Sequence, residues 1–380
     1  MPSICAWAGT PTRDAGLMKN ARGSDRGMVL HRLRGAAFGA AAALALVGVL
    51  GVGAENAQPQ TATCDRVAAP GGSDRNSGGA GDPFRTVGRL TGALSPGEKG
   101  CLRGGTFREH VTVRSGGTAS APVTLTAYPG ERPRLEGRLV IEREARFVTV
   151  TDLVLDGTSS PACGRGASCE VYPSPTVYGD HATFARNDIT NRRGICLILG
   201  RDDEIMTGAL VQGNRIHGCG RRPRTNHDHG VYAEHAASGR IVGNVIYDNA
   251  DRGIQLYPEA QNMRIAGNVI DGNGQGVIFS GEGRSASNGN VVEGNVIANA
   301  TASHNVESYY PSGTPVGRGN MVRGNCLFGG ARNPGEGGVQ SPQVGFVAVG
   351  NRVSDPAYVD RAAGDFRLRG DSPCQGVLRP

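Results

Sequence analysis

A parallel β-helix, a solenoid of short strands wound around one long apolar interior, is the fold class that this 380-residue sequence predicts. Three observations carry it: a recurring Gly-Asn-Val-Ile unit, apolar alternation in the segments between copies, and heavy glycine usage with few aromatics.

The unit stands at Gly243-Asn244-Val245-Ile246, Gly267-Asn268-Val269-Ile270 and Gly294-Asn295-Val296-Ile297. Looser copies are Arg186-Asn187-Asp188-Ile189, Gly213-Asn214-Arg215-Ile216, Gly324-Asn325-Cys326-Leu327 and Gly350-Asn351-Arg352-Val353. Successive asparagines lie 27, 30, 24, 27, 30 and 26 residues apart, a period near 24 with loop insertions. That is too short for a propeller blade and lacks the leucines of a leucine-rich repeat. A second punctuation follows in places, as Asn249 then Gly253-Ile254 and Asn273 then Gly276-Val277, so each coil reads as strand, Asn turn, short strand, turn, Gly, strand. Asparagine tolerates the left-handed turn conformation, and its amide can bond the asparagine one coil above. Coils stacked about 4.8 Å apart make every strand part of a parallel sheet. Ile254/Leu256, Val277/Phe279 and Ile195/Leu197/Leu199 share one parity and are expected to point inward.

Glycine, at 60 residues, is about twice its usual share, and it follows no three-residue period, so the composition suits tight turns and not a helical bundle or collagen. Both ends depart from the repeat. Phe84, Val87, Leu90 and Leu94 fall at helical spacing within residues 83–94, which predicts a short N-terminal helix covering the open interior. Residues 355–360 and 365–368 are expected to close the other end and shield the last sheet edges.

The first 54 residues read as an upstream extension plus signal peptide: a basic segment from Met28, an apolar run over 36–52, and small residues Val52-Gly53-Ala54 at the cleavage position. A retained membrane anchor is the alternative. Residues 55–66 read as a linker and 67–375 as one solenoid domain. The expectation is a secreted monomer with no membrane span after cleavage near Ala54. The leader holds six basic and two acidic residues, so the net charge of +6 falls to +2 without it. Charge alone therefore says little about an acidic partner. The 38 arginines are scattered among acids, which argues against nucleic acid, and the lone pair Asp202-Asp203 reads as a solvated turn. Eight cysteines remain beyond the leader, an even number that reads as disulfides in an exported chain. Cys163 with Cys169 would staple one loop, and Cys64 with Cys101 would tie down the N-terminal end.

The segments Gly71-Gly72-Ser73-Asp74, Pro83-Phe84-Arg85-Thr86, Arg103-Gly104-Gly105-Thr106-Phe107-Arg108-Glu109 and Ala121-Pro122-Val123-Thr124 resemble the opening of pectate-lyase-like right-handed β-helix proteins. Residues 354–373 resemble their usual close, and the Gly-Asn units resemble the carbohydrate-binding and sugar-hydrolase repeat type. The resemblance spans roughly residues 67–375. It implies a right-handed coil and an extracellular polysaccharide as substrate class. It leaves the reaction open, because one solenoid hosts lyases, hydrolases, epimerases and adhesins.

Aligning strands on their Gly-Ile/Val step predicts two outward columns: Cys196, Tyr232, Gln255, Ile278, Glu307, and Ile198, Glu234, Tyr257, Ser280, Tyr309. The turn before them adds His227, Asp228, His229, Asp251, Arg252, Gln275 and His304, and residues 221–226 enter beside it as a wall or lid. Five of eight histidines (His217, His227, His229, His235, His304) fall in this region, with Tyr310 beside Tyr309. This density predicts a groove for several sugar units. The competing reading is that polar residues simply clothe an exposed sheet.

Two chemistries fit the groove. In β-elimination from a uronate, Arg252 with Gln255 or Gln275 neutralises the carboxylate, and His229 or Tyr232 serves as base with the other as acid. Glu234 completes the expected catalytic set, and Tyr257, His304, Glu307 and Tyr309 hold substrate. The resemblance implies Lys or Arg bases and often Ca²⁺, but no lysine follows Lys99, so a lysine base in the groove is excluded. Asp228, Asp251 and Asp248 are the candidate Ca²⁺ ligands, without the spacing of a dedicated loop. The second chemistry is glycoside hydrolysis by two of Asp228, Glu234, Asp251 and Glu307. The Asn-Thr-Asp and Gly-His-Gly signatures of β-helix polygalacturonases are absent. A non-catalytic glycan-binding module is the third reading.

Overall fold

The computed structural model describes residues 63–201 and 205–378. The expected leader, its anchor alternative and Asp202-Asp203 lie outside them. The described chain winds through three long sheets in turn. One sheet has 11 strands, from Arg66–Ala68 to Phe346–Val349, and two have 10. A representative coil runs Arg240–Val242, Val245–Tyr247 and Arg252–Gln261 before Arg264–Ala266 starts the next. Neighbouring coils pair in parallel and in phase, so Ile241, Ile265, Val292 and Val322 stack in one column and Ile246, Ile270, Ile297 and Leu327 in another. These residues are buried in one continuous apolar cluster reaching from Phe84 to Phe346.

The corner between the first two strands of each coil depends on asparagine. Asn214, Asn244, Asn268, Asn295, Asn325 and Asn351 each offer Oδ1 to the backbone N–H and the side-chain amide of the asparagine below, at 2.9–3.1 Å, and Asn187, the first of the ladder, accepts instead from Leu153 N at 3.1 Å. The remaining amide proton goes to a backbone carbonyl, as Asn268 Nδ2 to Ile241 O at 2.8 Å. The left-handed conformation falls on the preceding residue and not on the asparagine: Gly213, Gly243, Gly267, Gly294, Gly324 and Gly350 have φ of 61–64°, with Arg186 at 54°. Glycine takes the turn without a Cβ clash, which frees the asparagine to bury its amide. A second ladder runs through Asn249 and Asn273, and a third through Asn290 and Asn320.

The N-terminal helix is present but short, Val87–Thr91, with Phe84, Val87, Leu90 and Leu94 all buried. Its start is set by Glu109, whose carboxylate accepts from the amides of Val87 and Gly88 at 2.7 and 3.1 Å. The expected pairs Cys64–Cys101 and Cys163–Cys169 are disulfides, joined by Cys196–Cys219 and Cys326–Cys374.

Two expectations need correction. Cys196 is interior and not part of the outward column: it precedes the strand Leu197–Leu199 and is bonded to Cys219, and in that row Leu197, not Ile195, pairs with Val231, a shift of two residues. The C-terminal segment does not shield the last edges. Its hairpin, Tyr358–Asp360 with Asp365–Leu368, lies along the side of the solenoid. There Arg361 bonds Asp248 and Asp271, Phe366 packs on Tyr247, and Arg215 donates to Gly364 O. Val347 and Val349 of the last strand of the 11-stranded sheet stay 54% and 53% exposed. Among the described residues, no helix is long and apolar enough to cross a membrane.

Replacing Asn268 with Ala removes four hydrogen bonds at a fully buried corner. Each stranded buried group costs about 1–3 kcal/mol, so the urea midpoint should fall sharply with the secondary structure otherwise retained. A midpoint within error of the wild type would contradict the ladder's role.

Candidate functional site

The site lies on the sheet whose middle strands lengthen. Most strands of the other two long sheets have three or four residues, whereas His229–Ala237, Arg252–Gln261 and Gln275–Glu282 have 9, 10 and 8. Their register aligns His229, Arg252 and Gln275 in one row, and Tyr232, Gln255, Ile278 and Glu307 in the next. Tyr309 pairs with Ser280 and is 50% exposed on the rim. The first expected column is thus assembled apart from Cys196, with Ile198 beside Tyr232 and so moved from the second column; of the second, Ser280 pairs with Tyr309, while the register slips between Ala233 and His235, where Glu234 stands.

Arg252 is the centre of the arrangement. It is only 8% exposed, and every hydrogen-bond partner is neutral. Nη1 donates to Asn226 O at 2.9 Å, to Gln255 Oε1 at 3.2 Å and to His229 Nε2 at 3.3 Å, while Nη2 donates to Asn226 Oδ1 at 2.8 Å. Nε is buried without a partner. Among the described residues, no carboxylate forms an ion pair with it. Burial lowers the affinity of this guanidinium for its proton, an effect opposed by Asp251 and Glu307 nearby. Buried charges are normally paired.

The neighbours keep defined protonation states. Burial first, then Arg252 and His227, hold the His229 imidazole well below its usual range. It is therefore neutral, its Nε2 lone pair faces Arg252, and the proton belongs on Nδ1, which is buried without a partner. Such a histidine positions the guanidinium. Burial pushes the Tyr232 phenol well up, helped by Glu234 and Tyr257. Burial and the 2.5 Å hydrogen bond to Glu282 do the same for Tyr257. Tyr232 meets His229 edge-on at 5.5 Å and stacks on Tyr257 at 6.2 Å between centroids. Both phenols stay protonated and are donors.

Glu307 is held on both oxygens. Oε1 accepts from Gln275 Nε2, and Oε2 accepts from Ser303 Oγ at 2.6 Å and from His304 Nδ1 at 2.7 Å. Asp228 is fully buried and paired with Arg221 at 2.8 Å, with Thr225 Oγ1 at 3.1 Å. Asp251 Oδ2 accepts from the Asp228 amide at 2.9 Å. These two aspartates are committed, and among the described residues no group of three or more His, Cys, Asp or Glu could hold a metal ion. They do not fit a calcium cage.

A polar cavity of about 380 Å³ opens beside this row, lined by Arg224, Thr225, Asn226, Asp251, Gln275, Ala302, Ser303 and Arg332. The 221–228 insertion thus forms a wall, and Asn226 covers Arg252. Ser303, Arg332 and Glu282 were not apparent as site residues. Ser303 directly precedes His304, and the Arg332 amide bonds Ser303 O one coil on, so repeat alignment could have located both. His217 is remote from this face: it bonds Asp188 at 2.9 Å and stacks on Tyr247.

A family model described as a right handed beta helix region matches residues 176–349. The fold is a right-handed parallel β-helix. Two solved structures share the β-helix at low identity. The complex of XylC with xylose has 11% identity and a TM-score of 0.55, covering 76% of this chain and 69% of that one. Pectate lyase Pel9A has 16% identity and a TM-score of 0.51, covering 82% and 91%. At such identities the likeness concerns the fold alone. YwoF, an uncharacterized protein of Bacillus subtilis (strain 168), is 33% identical over 76 residues. That match spans 20% of this chain and 16% of YwoF.

The buried neutral His229 has a measurable consequence. Its folded form binds a proton less readily than the unfolded chain, so stability should fall as pH drops below about 6.5. The slope is at most about 1.4 kcal/mol per pH unit for one group. Urea midpoints of His229→Gln should decline less steeply over that acidic window than those of the wild type. Parallel curves would contradict the buried neutral state.

Proposed function

We propose that residues 67–375 form an exported, monomeric, polysaccharide-active domain that cleaves a uronate-containing chain by β-elimination. The observation that carries this reading is Arg252, a desolvated cation whose protein partners are all neutral. A sugar carboxylate supplies the missing anion, and a bidentate guanidinium suits its geometry. Asn226, which holds Arg252 through its carbonyl and side chain, is exposed and can be displaced by that carboxylate.

In the reaction, a base takes the C5 proton and the C4–O4 bond breaks. The electron pair from C5 becomes the C4=C5 double bond, and the leaving O4 takes a proton. Arg252 and Gln255 stabilise the charge that spreads onto the carboxylate as the C5 proton leaves. In this reading Tyr232, whose phenol burial keeps protonated, is the donor to O4. Tyr257 and the rim residue Tyr309 offer faces for neighbouring sugars, with Glu234 beside them. Arg224 and Arg332 at the cavity give a further charged subsite its positive lining. No step passes through a metal.

Hydrolysis by paired carboxylates has less support. Glu307, Asp228 and Asp251, three of its four candidate residues, already accept from protein donors. Export is supported by the four disulfides, which persist in oxidising compartments.

The test is ultraviolet absorbance of unsaturated product from pectate, alginate, glucuronan and glycosaminoglycans, with chelator present. Wild-type protein should generate product on one of them, and Arg252→Ala should lower the rate by about 10²-fold or more with the fold intact. Near-normal turnover in Arg252→Ala would remove the assignment. New reducing ends without unsaturation would give the site to hydrolysis.

A further inference from the structure

We infer that His304, oriented by Glu307, is the general base of this site; the inference rests on the elimination reading above. Two histidines stand in the row that contains Arg252, and the structure gives them opposite circumstances. His229 has its Nε2 lone pair occupied by Arg252 and its Nδ1 sealed from solvent. His304 has its Nδ1 on Glu307 Oε2 at 2.7 Å, and its Nε2 makes no hydrogen bond among the described residues and is not sealed.

The tautomer follows from the partners. A carboxylate accepts, so Nδ1 carries the proton and Nε2 carries the lone pair. Glu307 is itself fixed, by Gln275 on Oε1 and Ser303 on Oε2, so it cannot swing away from the imidazole. Gln275 and Ser303, the two residues that hold Glu307, both line the polar cavity, so the dyad lies directly behind its lining. The backbone agrees: Gly276 N donates to His304 O, so His304 continues the row His229, Arg252, Gln275 by one coil. The neutralising cation and the base then stand two coils apart, about 10 Å along the solenoid axis. A uronate lying along that axis between them presents its carboxylate to Arg252 and its C5 proton to Nε2. When His304 takes the proton, Glu307 stabilises the resulting imidazolium. The proton is returned to solvent after the unsaturated product leaves. Glu307 is a positioning residue, since it acts through His304.

The experiment uses the complete secreted protein on whichever uronate polymer the wild type cleaves. His304→Ala and His304→Gln should each lower kcat by about 10²- to 10⁴-fold with KM little changed. Added imidazole should restore part of the His304→Ala rate by occupying the vacated space. Glu307→Gln should lower kcat at similar KM, and Glu307→Asp should recover part of it. Far-ultraviolet circular dichroism reports whether each variant is folded. If folded His304→Ala or His304→Gln keeps wild-type kcat, or loses affinity alone, the assignment is overturned while elimination stands. If wild-type protein yields no unsaturated product on any uronate polymer, the elimination reading fails and the base assignment falls with it.

Discussion

The asparagine ladder is the interaction on which the rest of this molecule depends. A solenoid turns a corner three times per coil, and each corner takes backbone N–H and C=O groups out of the sheets. Buried and unpaired, each such group would cost on the order of a hydrogen bond. Asparagine solves this with one side chain that accepts from the coil below, donates to the coil above and still reaches a backbone carbonyl. Because each asparagine serves its neighbours, the corners are identical from coil to coil and the strands between them stay in phase. The apolar columns of isoleucine and valine follow from that phase.

The functional face inherits the same order. A fixed corner lets the loops before the long strands vary in length without disturbing the strands. The 221–228 insertion is such a variation, and it places Asn226 over Arg252. Register then brings residues far apart in sequence into one row, with His229, Arg252, Gln275 and His304 on successive coils. The polar groups are buried by their neighbours on this face and not by the apolar interior. That is why His229 stays neutral and Tyr232 and Tyr257 keep their protons. The C-terminal hairpin acts on the opposite problem. Its Arg361 ties Asp248 and Asp271 together along the side, and Cys374 beyond it is bonded to Cys326.

Much of this was legible from the chain because it is periodic. The asparagines, their preceding glycines and the inward parity of Ile254, Leu256, Val277 and Phe279 repeat often enough to define the coil. The row of site residues was legible for the same reason. What was not legible is local or distant. The Gly-Ile step at Gly194-Ile195 looks like the others, yet the strand begins two residues later and Cys196 turns inward to Cys219. The tail's course depends on Arg361 finding carboxylates 90 and 113 residues away, which no local pattern encodes. The contact of His304 with Glu307 was hidden because residues three apart on a strand face opposite ways. Only the turn before Val306–Tyr309 lets them meet.

The central claim is that a buried, carboxylate-free Arg252 selects an anionic sugar. Calorimetric titration of a saturated uronate oligosaccharide against its carboxyl-reduced, neutral counterpart tests it most directly. The account predicts binding of the charged form that weakens about 10-fold or more on reduction, the order of one charge-assisted hydrogen bond. Equal affinity for the two forms would contradict it.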